Sequence, residues 1–292
     1  MRPVVIALAL IVCSGATAQE AGRQQLDVQL SGRIAFAAGP LEPGHANIYV
    51  YDLSTRKTTR VTHGRGVEFD PALSPDGTRV AWRSIRNGNE EIRVARVDGS
   101  GVRNLTQSPA MDYAPAWSPD GRKIVFASTR GNNAVPHIWV MNADGSKPHV
   151  LTRVLSGEYP AWSRGNRIAF ATNEPVRQDG FDIAVADTDG RHVHRLSRND
   201  VYEMGPAWSR DGKWLAFYAG NGGRNDIYMM RGDGSDRRRL TRSGGEMPSW
   251  SPDGRYLVYA APGGLVVIRP DGPELARLVT GVTGGNFASW SR

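Results

Sequence analysis

Six copies of one anchor at near-even spacing, apolar runs that are dry on both faces, and no sustained helical period predict an all-β chain. The fold class that joins these observations is a six-bladed β-propeller of four-stranded antiparallel blades, its ring closed by the C-terminal strand joining the N-terminal blade. The anchor reads PALSPDG at 71–77, PAWSPDG at 115–121, PAWSRGN at 160–166, PAWSRDG at 206–212, PSWSPDG at 248–254 and ASWSR at 288–292. Its equivalent positions, Leu73, Trp117, Trp162, Trp208, Trp250 and Trp290, stand 44, 45, 46, 42 and 40 residues apart. In Ile124-Val125-Phe126-Ala127 successive side chains point to opposite faces of a strand, yet all are apolar. Sheets buried on both faces without covering helices must stack on one another, and six of them close into a ring.

The chain enters with three strand-sized segments, Arg33 to Ala38, Asn47 to Leu53 and Lys57 to Thr62, that lack an anchor before them. Each following unit runs anchor, apolar run, second apolar run, short closing segment. The first runs are Val80 to Trp82, Ile124 to Ala127, Ile168 to Ala171, Trp214 to Ala219 and Tyr256 to Ala261; Ile138 to Met141, Ile183 to Ala186 and Ile227 to Met230 are second runs. Asp-Gly pairs at 98–99, 144–145, 189–190, 233–234 and 271–272 close the second hairpin. There Asp bonds to nearby backbone and Gly accepts positive φ. Units end in Leu105-Thr106, Leu151-Thr152, Leu196-Ser197, Leu240-Thr241 and Val279-Thr280. The Trp162 repeat is one residue shorter, so Gly165-Asn166 should make a tighter turn. The last anchor has no strands after it, so it is expected to complete the first blade.

Residues 1–18 read as a secretory signal peptide, with Arg2, an apolar run from Val4 to Cys13, and Ala16-Thr17-Ala18 as the cleavage site before Gln19. Residues 19–32 are a tail and 33–292 the propeller. The only cysteine, Cys13, follows Ile11 and Val12 instead of the small residues a lipoprotein site prefers, and the mature chain has no disulfide to rely on. No apolar stretch reaches the roughly 20 residues a membrane-spanning helix needs. The expected location is the periplasm or the exterior, as a monomer. Loss of Arg2 lowers the formal net charge from +7 to +6. Basic stretches such as Arg237-Arg238-Arg239 suit either an anionic partner or the protection of exposed sheet edges. No interleaved aromatic and basic signature points to nucleic acid.

The PxWSPDG anchor, runs such as IVFAS (124–128) and IWVM (138–141), the DG turn and the closing LT together resemble the TolB-like β-propeller repeat family over roughly residues 33–292. The resemblance implies a periplasmic propeller whose channel mouth receives a lipoprotein partner and associates with calcium. That family carries an α/β domain before its propeller. Here only residues 19–32 precede the first strand, so contacts made through such a domain do not carry over. Propellers of this type also precede the hydrolase domain of the prolyl oligopeptidase family, but no GxSxG elbow is present.

The start of every inner strand is brought to one channel mouth, and polar residues stand four or five positions ahead of the anchor aromatics. These are Glu68 with Asp70 nearby, Asp112, Glu158, Glu203, Glu246 and Asn286. Gathered in a ring, such carboxylates would repel unless a cation or a partner's Lys or Arg neutralised them, so calcium or another divalent cation is a candidate ligand. Bonding within their own turns is the plain alternative. The tryptophans, repeated at one structural position, are expected to pack between blades. His192 and His194 are placed on one face of an outer strand and need further ligands to hold a metal.

Two functions follow. One is an exported, non-catalytic module binding a periplasmic or outer-membrane-associated protein or envelope component. The other is a metal-assisted lyase or lactonase with its site at the central channel. The scattered histidines and the lack of a base beside the carboxylates favour the first.

Overall fold

A computed structural model of the chain describes residues 30–40, 45–131, 135–153, 155–174, 180–198, 201–220, 224–272, 274–278 and 286–292. Residues 1–18, expected from the sequence to be a signal peptide, most of the expected tail and the Val279-Thr280 pair lie outside the described residues. Among the described residues twenty-four strands form six four-stranded sheets, and no helix occurs.

Blade 1 contains β1 (Arg33–Ala38), β2 (Asn47–Asp52) and β3 (Lys57–Arg60). Blade 2 contains β4 (Val67–Leu73), β5 (Arg79–Arg86), β6 (Asn89–Arg96) and β7 (Arg103–Asn104). Blade 3 is built from β8 (Asp112–Trp117), β9 (Lys123–Ser128), β10 (His137–Asn142) and β11 (His149–Val150), and blade 4 from β12 (Glu158–Trp162), β13 (Arg167–Thr172), β14 (Asp182–Asp187) and β15 (His194–Arg195). In blade 5 the strands are β16 (Tyr202–Trp208), β17 (Trp214–Gly220), β18 (Asn225–Arg231) and β19 (Arg238–Arg239). Those of blade 6 are β20 (Glu246–Trp250), β21 (Leu257–Ala261), β22 (Gly264–Ile268) and β23 (Glu274–Leu278). The final strand, β24 (Asn286–Ser291), pairs antiparallel with β1 and supplies the inner strand of blade 1.

Burial on both faces has a direct structural counterpart. Ile124, Val125, Phe126 and Ala127 are all fully buried, the alternate residues packing against opposite neighbours. Six apolar clusters occupy the six seams between blades, as in Trp82 and Ile48 between blades 1 and 2 or Tyr259 and Met229 between blades 5 and 6. The anchor tryptophans belong to these seams: Trp117 donates its indole N–H to Ala72 O of the preceding blade at 3.0 Å, and Trp250 does the same to Ala207 O at 3.1 Å.

The repeated polar letters also have local causes. Ser74 Oγ donates to Asp76 Oδ1 at 2.5 Å and accepts from Arg79 N, while Gly77 takes a φ of +69° to close the turn. The same bonds recur at Ser118–Asp120, Ser209–Asp211 and Ser251–Asp253. In the shorter Trp162 repeat Asn166 takes the left-handed conformation (φ +62°), and Ser163 N reaches Arg167 O one residue sooner. The closing Thr ties the outer strand to its neighbour: Thr241 Oγ1 accepts from Ile227 N at 2.9 Å and donates to Asp226 Oδ1 at 3.0 Å, and Thr62 does the same with Ile48 and Asn47.

Closure of the ring is tied on both sides. Ile34 pairs with Trp290 and Arg33 with Ser291. Trp290 N donates to Ser249 Oγ of blade 6 at 2.9 Å, whereas Ser289 Oγ accepts from Leu73 N of blade 2 at 3.0 Å. Gly77 has no room for a Cβ, because one would collide with the Arg292 carbonyl.

Candidate functional site

The channel is built from an interruption in every inner strand. Three positions before the anchor residue the chain adopts left-handed φ, at Asp70 (+52°), Ala114 (+49°), Tyr159 (+47°), Gly205 (+59°), Met247 (+51°) and Phe287 (+56°). The cross-strand register shifts at the same places. Pro71, Pro115, Pro160, Pro206, Pro248 and Ala288 follow. Inner strands have a free edge, so a proline there removes no ladder bond. Bulge and proline residues together line a waist cavity of about 100 Å³. Beyond the waist, toward the SPDG turns, the channel widens into a cavity of about 320 Å³ bordered by the anchors and by Arg164, Arg210 and Arg292.

The seven polar residues singled out in the sequence do not make one ring. Glu68, Asp112 and Glu203 stand five positions before the anchor, Glu158, Glu246 and Asn286 four, and Asp70 three. A one-residue step moves a side chain to the opposite face of a strand, so these sets diverge. Those at the fifth position turn away from the channel into the seams. Glu68 is fully buried and accepts from Trp82 Nε1 at 2.5 Å and Arg86 Nη2 at 2.8 Å. Asp112 is bound by Arg130 at 2.7 Å; burial raises its pKa against the pull of Arg130 and Ser128. Glu203 is held by Arg237 at 2.9 Å. These three are structural ion pairs, and removal of the arginine would take the ion-pair partner from a fully buried carboxylate.

Glu158, Glu246 and Asp70 are the carboxylates left for the mouth. Glu158 is half-buried and its pKa is raised by burial, opposed by Arg83 and a hydrogen bond with Tyr113. Glu246 is exposed and accepts from Asn225 Nδ2 at 2.8 Å. Asn286 lies opposite Ala37 in the β24–β1 ladder, and its side chain is outside the described residues.

Asp70 is the residue that sequence reading placed only beside the ring, and the structure puts it at the centre. It borders the waist cavity and is 5% exposed. Neither carboxylate oxygen makes a hydrogen bond of good geometry: Arg83 Nη1, 3.5 Å away, already engages Glu90 at 2.6 Å through Nη2, and the Ala114 backbone N–H approaches only loosely. Burial pushes the Asp70 pKa up to about 7; Arg83 pulls it down less strongly, and Glu90 adds to the rise. Its left-handed backbone fixes the direction in which the side chain leaves the strand.

An aromatic collar surrounds this carboxylate. Phe287 and Phe69 lie 5.9 Å apart, Arg83 rests over Phe69 and Tyr113 at 4.4 and 4.9 Å, and Tyr113 meets Tyr159 edge to face at 6.4 Å. On the far side Tyr202 contacts Tyr218 and Phe181. Burial raises the pKa of Tyr113, Tyr159, Tyr202 and Tyr218, so all four phenols stay neutral donors near neutral pH. Chemically the mouth is a desolvated acid within polarizable rings, a setting suited to a cationic group.

Among the described residues no three His, Cys, Asp or Glu side chains gather into a metal-binding group. His192 precedes β15 in a left-handed turn (φ +50°) and contacts Asp187 Oδ2 at 2.6 Å, while His194 lies in the strand, so the two do not share a strand face.

The family model for the TolB beta propeller domain matches residues 31–175 and again 155–271. The chain belongs to the TolB β-propeller domain family. The Tol-Pal system protein TolB of Francisella tularensis subsp. tularensis is 27% identical over 218 residues, covering 72% of this chain and 50% of that protein. The crystal structure of TolB from Acinetobacter baumannii superimposes with a TM-score of 0.75 at 22% identity, over 89% of this chain and 66% of that one. An oligogalacturonate lyase in complex with manganese shares the fold at a TM-score of 0.57 and 19% identity, over 88% of this chain and 75% of its own. The chain spans about half, or less, of the length of the curated relatives it matches.

Proposed function

We propose that this TolB-family propeller is an exported, non-catalytic binding module whose channel mouth docks a cation-bearing segment of a periplasmic or outer-membrane-associated protein. Residues 1–18 act in this reading as the export signal, cleaved between Ala18 and Gln19. Among the described residues no helix is long and apolar enough to cross a membrane.

The observation that carries the reading is the Asp70 carboxylate, buried at the waist with no well-formed hydrogen bond, its ion-pair partner Arg83 at 3.5 Å, and collared by aromatic rings. A buried acid in that state costs folding free energy, and a lysine, arginine or amine entering from the mouth would complete its bonding. Family membership supports an envelope partner, since relatives of this chain are Tol-Pal system proteins. The lyase or lactonase alternative requires a general base with clustered metal ligands, and the carboxylates of the mouth are instead separated by an arginine and tyrosines.

Immobilised mature protein and its Asp70→Asn variant, offered the same periplasmic extract, provide the test. Envelope proteins retained by the wild type should be lost from the variant while its fold is kept. Retention of the same proteins by both would overturn the role of the mouth.

A further inference from the structure

A second charged site lies far from the mouth, on the face of blade 2 that looks toward blade 3. At one register position, where the second and third strands of a blade face each other, blade 1 pairs Arg33 with Asp52 and blade 4 pairs Arg167 with Asp187. In blade 1 that pair is an ion pair of 3.2 Å. Blade 2 places Arg79 opposite Arg96 instead. Like charges directly opposite each other are unfavourable in a sheet, and blades 3 and 5 also avoid them, with Lys123 opposite Asn142 and Trp214 opposite Arg231.

A third arginine joins them. Arg103 on β7 lies opposite Val94, two residues from Arg96 and therefore on the same face. Arg79, Arg96 and Arg103 line one cavity of about 320 Å³, with no carboxylate in its wall. Arg79 is fixed in place: its Nη2 donates to Gly121 O at 3.3 Å and its guanidinium rests 4.5 Å over Trp117 of blade 3. Among the described residues Arg96 and Arg103 have no ion pair. The nearest acids, Asp98 and Asp144, lie outside the cavity wall; each accepts from the backbone of its own turn, at Ser100 N and Ser146 N, and Arg96 and Arg103 respectively help to lower their pKa values.

We propose that this cavity binds the phosphate of a phosphomonoester. Three guanidinium groups offer planar, multidentate donors to tetrahedral oxygens, and a dianion would bring opposite charge to a cavity whose wall holds none, with Arg96 and Arg103 exposed and Arg79 half-buried. Stacking of Arg79 on an indole holds its fork in position before the ligand arrives. The volume exceeds that of a phosphate alone, leaving room for the first atoms of the group that carries it.

The test is titration of the mature protein with inorganic phosphate and glycerol 3-phosphate by calorimetry, and with vesicles containing phosphatidic acid by sedimentation. Arg96→Asp installs the Arg–Asp pair of blades 1 and 4 and should weaken phosphate binding at least about tenfold without lowering the thermal midpoint. Arg191→Asp, the same charge change at an exposed position on blade 4, should leave binding intact. Binding confined to the soluble phosphates assigns a soluble ligand, and Arg96-dependent capture by the vesicles assigns a lipid headgroup; both support the site. No saturable binding of any probe up to about 10 mM phosphate, or equal binding by wild type and Arg96→Asp, would overturn it.

Discussion

Replacement of Asp70 by Asn removes a buried charge and keeps the shape of the side chain. An acid whose folded pKa exceeds its unfolded value binds its proton more tightly in the native state. Its contribution is therefore neutral below the unfolded pKa and becomes destabilising as pH rises from 3.8 to about 7, then levels off. The shift from 3.8 to about 7 corresponds to about 4 kcal/mol at pH 8 and to less than half of that at pH 5. Arg83 keeps its 2.6 Å contact with Glu90 in the variant, so no new unpaired cation appears. For a domain of this size the gain raises the thermal midpoint by roughly 8 °C at pH 8. Paired thermal melts of wild type and Asp70→Asn at pH 5 and pH 8 measure it, because other titrating groups cancel in the difference. A variant no more stable than wild type at pH 8, or a difference that does not grow between the two pH values, would refute the assignment of Asp70 as a desolvated acid. The expected result also bears on function: a residue that weakens the fold where it is charged, in a cavity, is the pattern of a binding group.

Other perturbations separate fold from site. Deletion of residues 288–292 removes the inner strand of blade 1, and loss of buried Trp290 alone should cost about 3–5 kcal/mol; denaturant melts should show collapse of the whole ring, not of one blade. Thr241→Val removes the acceptor of Ile227 N and one of the two donors to Asp226 Oδ1, which keeps Gly244 N, and should cost about 1–3 kcal/mol by urea titration, with the mouth unaffected. Arg237→Ala should destabilise by removing the ion-pair partner of fully buried Glu203 and leave partner retention by the surviving folded protein unchanged.

Much of the ring was legible in the chain because its causes are local. The SPDG turns, the dry runs and the incomplete last unit each follow from short-range chemistry, and the blade boundaries coincide with them. The mouth was not legible in the same way. Counting four or five residues back from the anchor merged two strand faces, and only the register separates Glu68, Asp112 and Glu203 from Glu158 and Glu246. Asp70 owes its state to the bulge that turns it into the waist and to Arg83 being held by Glu90, neither of which has a sequence signal of its own. The Asp226–Thr241 bond was half visible, as a recurring LT without its partner. Arg79 and Arg96 meet only through a hairpin register that the sequence leaves open.

Site-specific cross-linking tests the docking claim most directly. The only cysteine of the chain, Cys13, lies in the predicted signal segment, so a cysteine at Glu246 or at Asp120 gives a mature protein with one attachment point for a photo-cross-linker. Glu246 is exposed at the mouth, and Asp120 is exposed in an SPDG turn at the opposite end. In cells, adducts should form from position 246, disappear when Asp70→Asn is added, and be absent from position 120. Equal adducts from both ends, or adducts at 246 that persist without the Asp70 carboxylate, would contradict the account.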